Sequence, residues 1–193
     1  MDALVEFRRL MRAASLRIGS LLNQTELARD TGIPRTTVGR YLDLLEVSFQ
    51  LVRLEPYSVN RTKRLIKSPK LYWTDTGLAL HLGAQTEATG AHLENLVLCD
   101  LLAWRDADPA RPVVLYWRTA VGEEVDFVLE RRGRLLAIEV KAGTQPTHKD
   151  AHHLATFLDE YGEAAHGALL LHTGEQTEWL AERILAVPWW RVL

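Results

Sequence analysis

The sequence predicts a mixed α/β protein, of the α+β kind, with two domains. Short helical patterns followed by two strand-like segments fill residues 1–80, and residues 81–193 show the order helix, three strands, helix, strand. Basic and acidic residues are also distributed unevenly between the two parts of the chain. Residues 1–74 contain 13 Lys and Arg against 7 Asp and Glu, whereas residues 75–193 contain 10 against 18. A basic part followed by an acidic part indicates two separate tasks.

The composition is that of an ordinary globular protein, with 47% hydrophobic and 25% charged residues. Its single cysteine, Cys99, excludes an internal disulfide. No apolar run approaches the roughly 18 residues that a membrane span needs, and the charged N-terminus lacks a signal core. We therefore expect a cytoplasmic protein with no membrane partner.

The first domain reads as a winged helix-turn-helix. Residues 4–20 form an amphipathic pattern, TELARD forms a short helix that ends near Gly32, and PRTTVGRYLDLLE forms a third helix that begins at Pro34. The segments VSFQLVRL and LYWTD read as the two strands of a hairpin. Two helices joined by a tight turn and followed by a hairpin predict this architecture.

Basic and hydroxyl side chains follow the two elements that such a domain uses to contact DNA. They are Arg35, Thr36, Thr37 and Arg40 on the third helix, and Arg61, Lys63, Arg64 and Lys67 in the loop between the strands. A recognition helix contacts bases and phosphates near its N-terminal half, and lysines and arginines neutralise phosphates. The pattern predicts DNA binding. The alternatives are a solvated surface and a protein-binding module.

The second domain begins with a helix over residues 88–105. Three strands follow, in VVLYWRT, GEEVDFVLE and RLLAIEVKA, and then a helix over residues 147–161 and a fourth strand, GALLLHT. The segment EQTEWLAERIL reads as a last helical or irregular stretch. The predicted order is therefore αβββαβ.

The second hairpin permits a prediction of its register. If Arg132-Gly133 is a two-residue turn, Asp126 lies opposite Glu139, and Lys141 shares the face of Glu139 because side chains alternate along a strand. The other, apolar face is predicted to carry Val125, Phe127, Leu129, Ile138 and Val140. A shift of one residue would remove this juxtaposition.

Two carboxylates placed opposite each other disfavour a hairpin unless something compensates their charge. A divalent cation does so, and the oxygen ligands of Asp126 and Glu139 suit Mg²⁺ or Mn²⁺. Lys141 would then hold a scissile phosphate or an attacking water, in a site where the metal activates water. The alternative is a polar sheet face on which Lys141 neutralises one acid.

Glu94 is the third acidic candidate. Its helical neighbours at three and four residues, Val97 and Leu98, are apolar, so its carboxylate borders a buried stripe and needs a partner. A shared metal is one such partner. A hydrogen bond at the helix end or a nearby arginine is the other.

The ordered set Glu94, Asp126 and Glu139-Val140-Lys141, on a helix, a second strand and a third strand, resembles the PD-(D/E)xK nuclease superfamily. Val125 stands where that motif has proline. Longer phrases, among them LARDTGIPRTTVGRYLDLLE, LIKSPKLYWTDTGLA, HLENLVLCDLL, YWRTAVGEEVDFVLE and LAIEVKAG, resemble the C-terminal part of a bacterial and archaeal family of predicted AAA+ ATPases.

The resemblance implies a winged helix followed by a restriction-endonuclease-like domain, with Glu94, Asp126, Glu139 and Lys141 as catalytic or metal-binding residues. The chain lacks a G-x-x-x-x-G-K-[ST] phosphate loop, so we expect no ATP binding by this chain. The expected function is metal-dependent processing of DNA. The alternative is a non-catalytic module that recognises DNA or protein and regulates an associated ATPase module.

Overall fold

The computed structural model describes residues 2–59 and 68–192. It confirms a mixed α/β fold, with six α-helices and two β-sheets in the described part of the chain. By their internal contacts the residues form two units, one of residues 2–55 and 68–96, the other of residues 56–59 and 97–192. None of the described helices combines the length and the apolar character that a membrane crossing requires.

The first unit consists of helices and one small antiparallel sheet. Its elements are α1 (Asp2–Ser15), α2 (Gln24–Thr31), α3 (Arg35–Val47), β1 (Leu51–Leu54), β2 (Lys70–Trp73) and α4 (Thr76–Gly83). The Asn23 side chain accepts the first free backbone N–H groups of α2, and Gly32, at φ +68°, ends that helix. Leu10, Leu27 and Leu42 are fully buried in its core.

Two predicted boundaries in this unit are wrong. The first helix ends at Ser15 instead of residue 20. The apolar run that begins at Val47 is not a strand throughout, because α3 continues to Val47 and Phe49 adopts φ +56°, which is incompatible with an extended strand. Only Leu51–Leu54 pairs with Lys70–Trp73. Part of the predicted wing, residues 60–67, lies outside the described residues.

The second unit is built on a six-stranded sheet. The long helix α5 (Gly90–Ala107) leads into it, and the remaining elements are β3 (Val113–Arg118), β4 (Glu124–Arg131), β5 (Arg134–Lys141), α6 (His152–Tyr161), β6 (Ala165–His172), β7 (Glu178–Ala181) and β8 (Ile184–Pro188). The strand order is β3-β4-β5-β6-β8-β7. Strands β3, β4 and β5 form an antiparallel meander, whereas β5, β6 and β8 run parallel. One face of this sheet packs against α6 through Leu154, Phe157 and Leu158.

The predicted helical or irregular stretch after the fourth strand is wrong. Residues 178–181 and 184–188 form β7 and β8 instead. Ile184 and Ala186 are buried in the core, and β8 is paired on both sides, by β6 and β7. Tertiary pairing thus overrides a local pattern too short to distinguish helix from strand. The predicted helix from Thr147 begins later, at His152, because Thr147 and Asp150 form a hydrogen-bonded turn.

The predicted register of the β4–β5 hairpin is confirmed. The paired residues run from Arg131 and Arg134 to Phe127 and Ile138 around the Arg132-Gly133 turn. Continued by one step, this register would place Asp126 opposite Glu139, but the ladder ends at Phe127 and Ile138, and the Asp126 side chain accepts the backbone N–H of Val140 instead.

A bulge interrupts β4 next to this point. Leu115 pairs with Val128 and Trp117 pairs with Val125, so a distance of two residues along β3 lies opposite three residues along β4. An extra residue in one strand reverses the alternation of side chains beyond it. Val125 therefore joins the core cluster of Val128 instead of lying on the face of Phe127, where the alternating pattern predicts it.

Candidate functional site

The centre of the candidate site is an ion pair on β5. Lys141 Nζ donates a hydrogen bond of 2.7 Å to Glu139 Oε1. Glu139 is only 5% exposed, whereas the Lys141 side chain is 39% exposed. Their alternate positions on one strand put both side chains on the same face of the sheet. The pair thus combines a buried carboxylate with an ammonium group that solvent and ligands can reach.

Asp126 joins this pair from the neighbouring strand. Its Oδ2 atom accepts a hydrogen bond of 2.9 Å from the backbone N–H of Val140, the residue between Glu139 and Lys141. The bulge in β4 lies at this position, and bulges often redirect a side chain next to a functional site. The three predicted residues Asp126, Glu139 and Lys141 are therefore brought together by the structure.

The charge of Lys141 is determined by opposing effects. Burial disfavours the ammonium form and is the largest single effect. The hydrogen bond that Lys141 donates to Glu139 and the attraction of Glu139, Asp126 and Asp150 together outweigh it and raise the pKa of Lys141 above its ordinary value. Lys141 is therefore charged at neutral pH and can stabilise negative charge on a phosphate.

Asp150 is an acidic neighbour that the sequence patterns did not single out. Its Oδ2 atom accepts hydrogen bonds from the backbone N–H and the hydroxyl of Thr147, at 2.8 and 2.7 Å. The hydroxyl hydrogen bond is the main reason that the pKa of Asp150 lies below its ordinary value. The spacing T-x-x-D before a helix is a recognisable capping signal, which was available in the sequence.

His172 is a second residue that sequence reasoning missed. It ends β6 directly beside Lys141 in the parallel ladder and is 0% exposed. Its Nδ1 atom accepts the backbone N–H of Gly174 at 3.0 Å, which leaves the proton on Nε2. Among the described residues, Nε2 has no hydrogen-bond partner. No local pattern identifies this residue, because its proximity to Lys141 arises from the β5–β6 crossover.

The loops that follow β5 and β6 hold this end of the sheet together. The Thr173 hydroxyl donates to the carbonyl of Ala142 at 2.8 Å, and the Thr173 N–H donates to the carbonyl of Gly143 at 3.1 Å. A Cβ atom on Gly174 would lie 1.9 Å from the carbonyl oxygen of Thr144, so only glycine fits there. The carboxyl ends of adjacent parallel strands, where ligands bind in many α/β sheets, are thus rigidly linked.

The arrangement provides few protein ligands for a metal ion. In residues 2–59 and 68–192, no three His, Cys, Asp or Glu side chains are grouped so that they could hold one. Asp126 and Glu139 remain as two oxygen donors of neighbouring strands. Mg²⁺ commonly binds through one or two carboxylates and completes its octahedron with waters and substrate phosphates. The donor set therefore fits Mg²⁺ or Mn²⁺ better than a metal that needs four protein ligands.

Glu94 lies in the first unit. Its Oε1 atom accepts hydrogen bonds from Lys70 Nζ, at 3.2 Å, and from the Tyr72 hydroxyl. Lys70 is 2% exposed and the Glu94 side chain 16% exposed, so this is a largely buried ion pair. The partners of Glu94 are thus a lysine and a tyrosine, instead of the helix-end hydrogen bond or the arginine of the alternative interpretation, and its role as a metal ligand stays a prediction.

The predicted DNA-contacting residues fall in two groups. On α3, Arg35, Thr36 and Arg40 are exposed and Thr37 is half-buried, so both arginines are accessible to a ligand. The loop residues lie outside the described part of the chain: Arg61, Lys63, Arg64 and Lys67. Their proposed contacts stay a prediction.

Comparisons with known proteins find bacterial relatives that are longer than this chain. One relative from Mycobacterium tuberculosis and one from Mycobacterium bovis, both called uncharacterized proteins, are each 32% identical to it over 179 residues. This match covers 88% of the chain but 38% of each relative. An uncharacterized protein of Haemophilus influenzae is 25% identical over 170 residues, which are 83% of the chain and 39% of that relative. The chain thus spans less than two fifths of the length of these relatives.

No solved structure matches the chain. Two family models divide it within the loop before α5. The model of a domain of unknown function, DUF8612, matches residues 2–89. The model of a second domain of unknown function, DUF4143, matches residues 89–192, which include the sheet with Asp126, Glu139 and Lys141 and amount to more than half of the chain. The chain therefore belongs to the DUF4143 family.

Proposed function

We propose that this chain is a metal-dependent, nuclease-like module of the PD-(D/E)xK type, and that its first unit is a winged helix that binds DNA. The observation that carries the proposal is the convergence of Asp126, Glu139 and Lys141 at one end of β4 and β5. Two acids from adjacent strands and a charged lysine are the groups that phosphodiester hydrolysis with a metal ion requires.

The chemical roles follow from burial and charge. A divalent ion held by Asp126 and Glu139 would supply an activated water and offset charge on the scissile phosphate. Lys141, with its raised pKa, would bind a phosphate oxygen or orient the attacking water. Its 39% exposure leaves room for such a contact, and its hydrogen bond to Glu139 keeps the ammonium group next to the carboxylates.

The first unit supports DNA as the substrate. Arg35 and Arg40 are exposed in the N-terminal half of α3, where recognition helices present their contacts. Lysine and arginine contacts to phosphates make binding depend steeply on salt. We therefore propose double-stranded DNA as the ligand of this unit, with Arg35 and Arg40 among its contacts.

The test combines metal binding with cleavage. Mn²⁺ is titrated calorimetrically into the wild type, Glu139→Gln and, as a matched control, Glu182→Gln, which removes an exposed carboxylate of the same unit. The same proteins are then incubated with plasmid and single-stranded DNA. We expect Glu139→Gln alone to lose both Mn²⁺ binding and cleavage.

Other outcomes separate the alternatives. Mn²⁺ binding by the wild type without cleavage of either DNA would favour a non-catalytic recognition or regulatory module that acts with an ATPase. Equal Mn²⁺ affinity of the wild type and Glu139→Gln would remove the metal site from the proposal. Cleavage that persists unchanged in Glu139→Gln would show a contaminating nuclease or a different site.

A further inference from the structure

Arginines surround a cleft at the end of the sheet where the β4–β5 turn lies. The cleft has a volume of about 510 Å³ and is lined by Arg131, Arg132 and Arg134. Arg134 and Glu139 are five residues apart on β5, which is about 17 Å in a strand, and alternation directs their side chains to opposite faces. The cleft is thus separate from the carboxylate site.

The charges around this cleft are not balanced by the protein. Arg131 is paired directly with Arg134 across the ladder, and like charges in that position disfavour a hairpin. Asp108 compensates one of them, because its Oδ2 atom lies 3.1 Å from Arg131 Nη2. Among the described residues, Arg132 and Arg134 take part in no ion pair. An external anion would supply the missing compensation.

The backbone conformation at Arg132 is one in which asparagine or glycine would be favoured over arginine. Arg132 adopts φ +52° and Gly133 φ +78°, the left-handed pair of a two-residue hairpin turn. Asn or Gly is usual at the first of these positions. Arg111, two residues before β3, likewise adopts φ +43°. Left-handed backbone at non-glycine residues is often retained at ligand-binding sites, and Arg132 lines the cleft in this conformation.

We infer that this arginine cleft binds phosphate groups of a nucleic-acid backbone, apart from the metal site. Guanidinium groups present forked donors that match two phosphate oxygens at once. The inference rests on the proposed function for the choice of nucleic acid as the ligand, but phosphate binding itself does not depend on cleavage. Inorganic pyrophosphate offers the same chemistry without a nucleic acid and is therefore the comparison ligand.

The test is binding of a labelled 20-base-pair duplex and of pyrophosphate without divalent ions, in a Glu139→Gln background. This background makes the result independent of whether the protein cleaves DNA. The test variant is Arg132→Gln/Arg134→Gln, and Arg131 is kept because it pairs with Asp108. The control with the same change in net charge is Arg118→Gln/Arg191→Gln, in which Arg118 loses its ion pair with Glu124 and Arg191 its hydrogen bond to Thr177.

We expect the test variant to bind the duplex about tenfold more weakly, and the slope of log Kd against log salt to fall by about two. The control should change affinity by less than about twofold. An equal loss in both variants, or no loss in either, would overturn the inference. Tighter binding of pyrophosphate than of the duplex by the Glu139→Gln protein would assign the cleft to a free phosphate ligand and overturn the nucleic-acid assignment.

A single substitution gives an independent readout. Arg132→Asn puts the residue preferred in a left-handed turn position at φ +52°. The melting temperature should therefore rise while affinity for the duplex falls. A fall in both would indicate that Arg132 serves the fold, and unchanged affinity would show that its guanidinium does not contact the DNA.

Discussion

The Asp126 carboxylate accepts the backbone N–H of Val140, 2.9 Å away on the neighbouring strand. This hydrogen bond joins the bulge in β4 to the strand that carries Glu139 and Lys141. A side chain here replaces a backbone carbonyl as the acceptor, so the geometry of the candidate site and the stability of the hairpin depend on the same carboxylate.

Substitution of Asp126 should separate these two contributions. Asp126→Asn keeps an oxygen that can accept the Val140 N–H, whereas Asp126→Ala removes it and should lower the free energy of unfolding by about 1–3 kcal/mol more. Both should abolish the proposed Mn²⁺ binding. Urea denaturation and calorimetric titration measure the two effects. Equal stability of the two variants would show that the hydrogen bond contributes nothing.

Lys141→Met should leave the buried Glu139 carboxylate without its ammonium partner. Breaking a buried ion pair costs about 3–5 kcal/mol. Because the Lys141 side chain is 39% exposed, we expect a loss of about 1–3 kcal/mol in unfolding free energy at pH 7. Adding Glu139→Gln to Lys141→Met should recover most of this lost unfolding free energy. Lys149→Met is the control, and a double variant as unstable as the single one would contradict the coupling.

Gly174 and Gly143, in the loops after β6 and β5, should respond differently to substitution by alanine. Gly174→Ala would place a Cβ atom 1.9 Å from the Thr144 carbonyl oxygen, whereas Gly143→Ala meets nothing within 4 Å. We expect a loss of about 3 kcal/mol or more for Gly174→Ala, because backbone must move, and a change within about 0.5 kcal/mol for Gly143→Ala. Thermal unfolding of both variants measures this. Similar melting temperatures would mean that the loops adjust freely.

Glu94→Gln should weaken the first unit without changing metal affinity. The substitution removes the negative charge beside Lys70, an ammonium that is 2% exposed. We expect a loss of about 2–4 kcal/mol in unfolding free energy and the wild-type affinity for Mn²⁺. Urea denaturation and titration of the same sample measure both. A large loss of Mn²⁺ affinity would support Glu94 as a metal ligand.

His92 should make stability fall in mild acid. Burial lowers the pKa of this histidine below 6.5, and its Nδ1 atom accepts the Thr89 N–H at 3.1 Å. As the pH falls below 6.5, His92 binds a proton in the unfolded chain but stays neutral in the folded protein. The free energy of unfolding therefore decreases by up to about 1.4 kcal/mol per pH unit.

Unfolding free energies at pH 7.5 and 5.5 test this for the wild type and His92→Gln. The variant should lose less stability between the two pH values. His81→Gln, at an exposed position, should retain the wild-type difference. The same pH dependence in all three proteins would assign it to other groups.

The sequence by itself determined most of the local architecture. The Asn23 and Gly32 signals bound α2, and Arg132-Gly133 specifies a two-residue turn whose register pairs Phe127 with Ile138. These features depend on neighbouring residues and on periodicity, so they can be read from the chain. The common face of Glu139 and Lys141 on β5 follows from them.

Only the tertiary structure decided the rest. The strand β8 forms because β6 offers it a partner, and β7 then pairs with β8, while the bulge in β4 next to Asp126 is visible only against β3. His172 reaches Lys141 through a crossover of some thirty residues, and Glu94 meets Lys70 across 24 positions. Such contacts depend on which elements pack together, because the energy that selects them comes from burial and pairing between distant segments and not from local propensity.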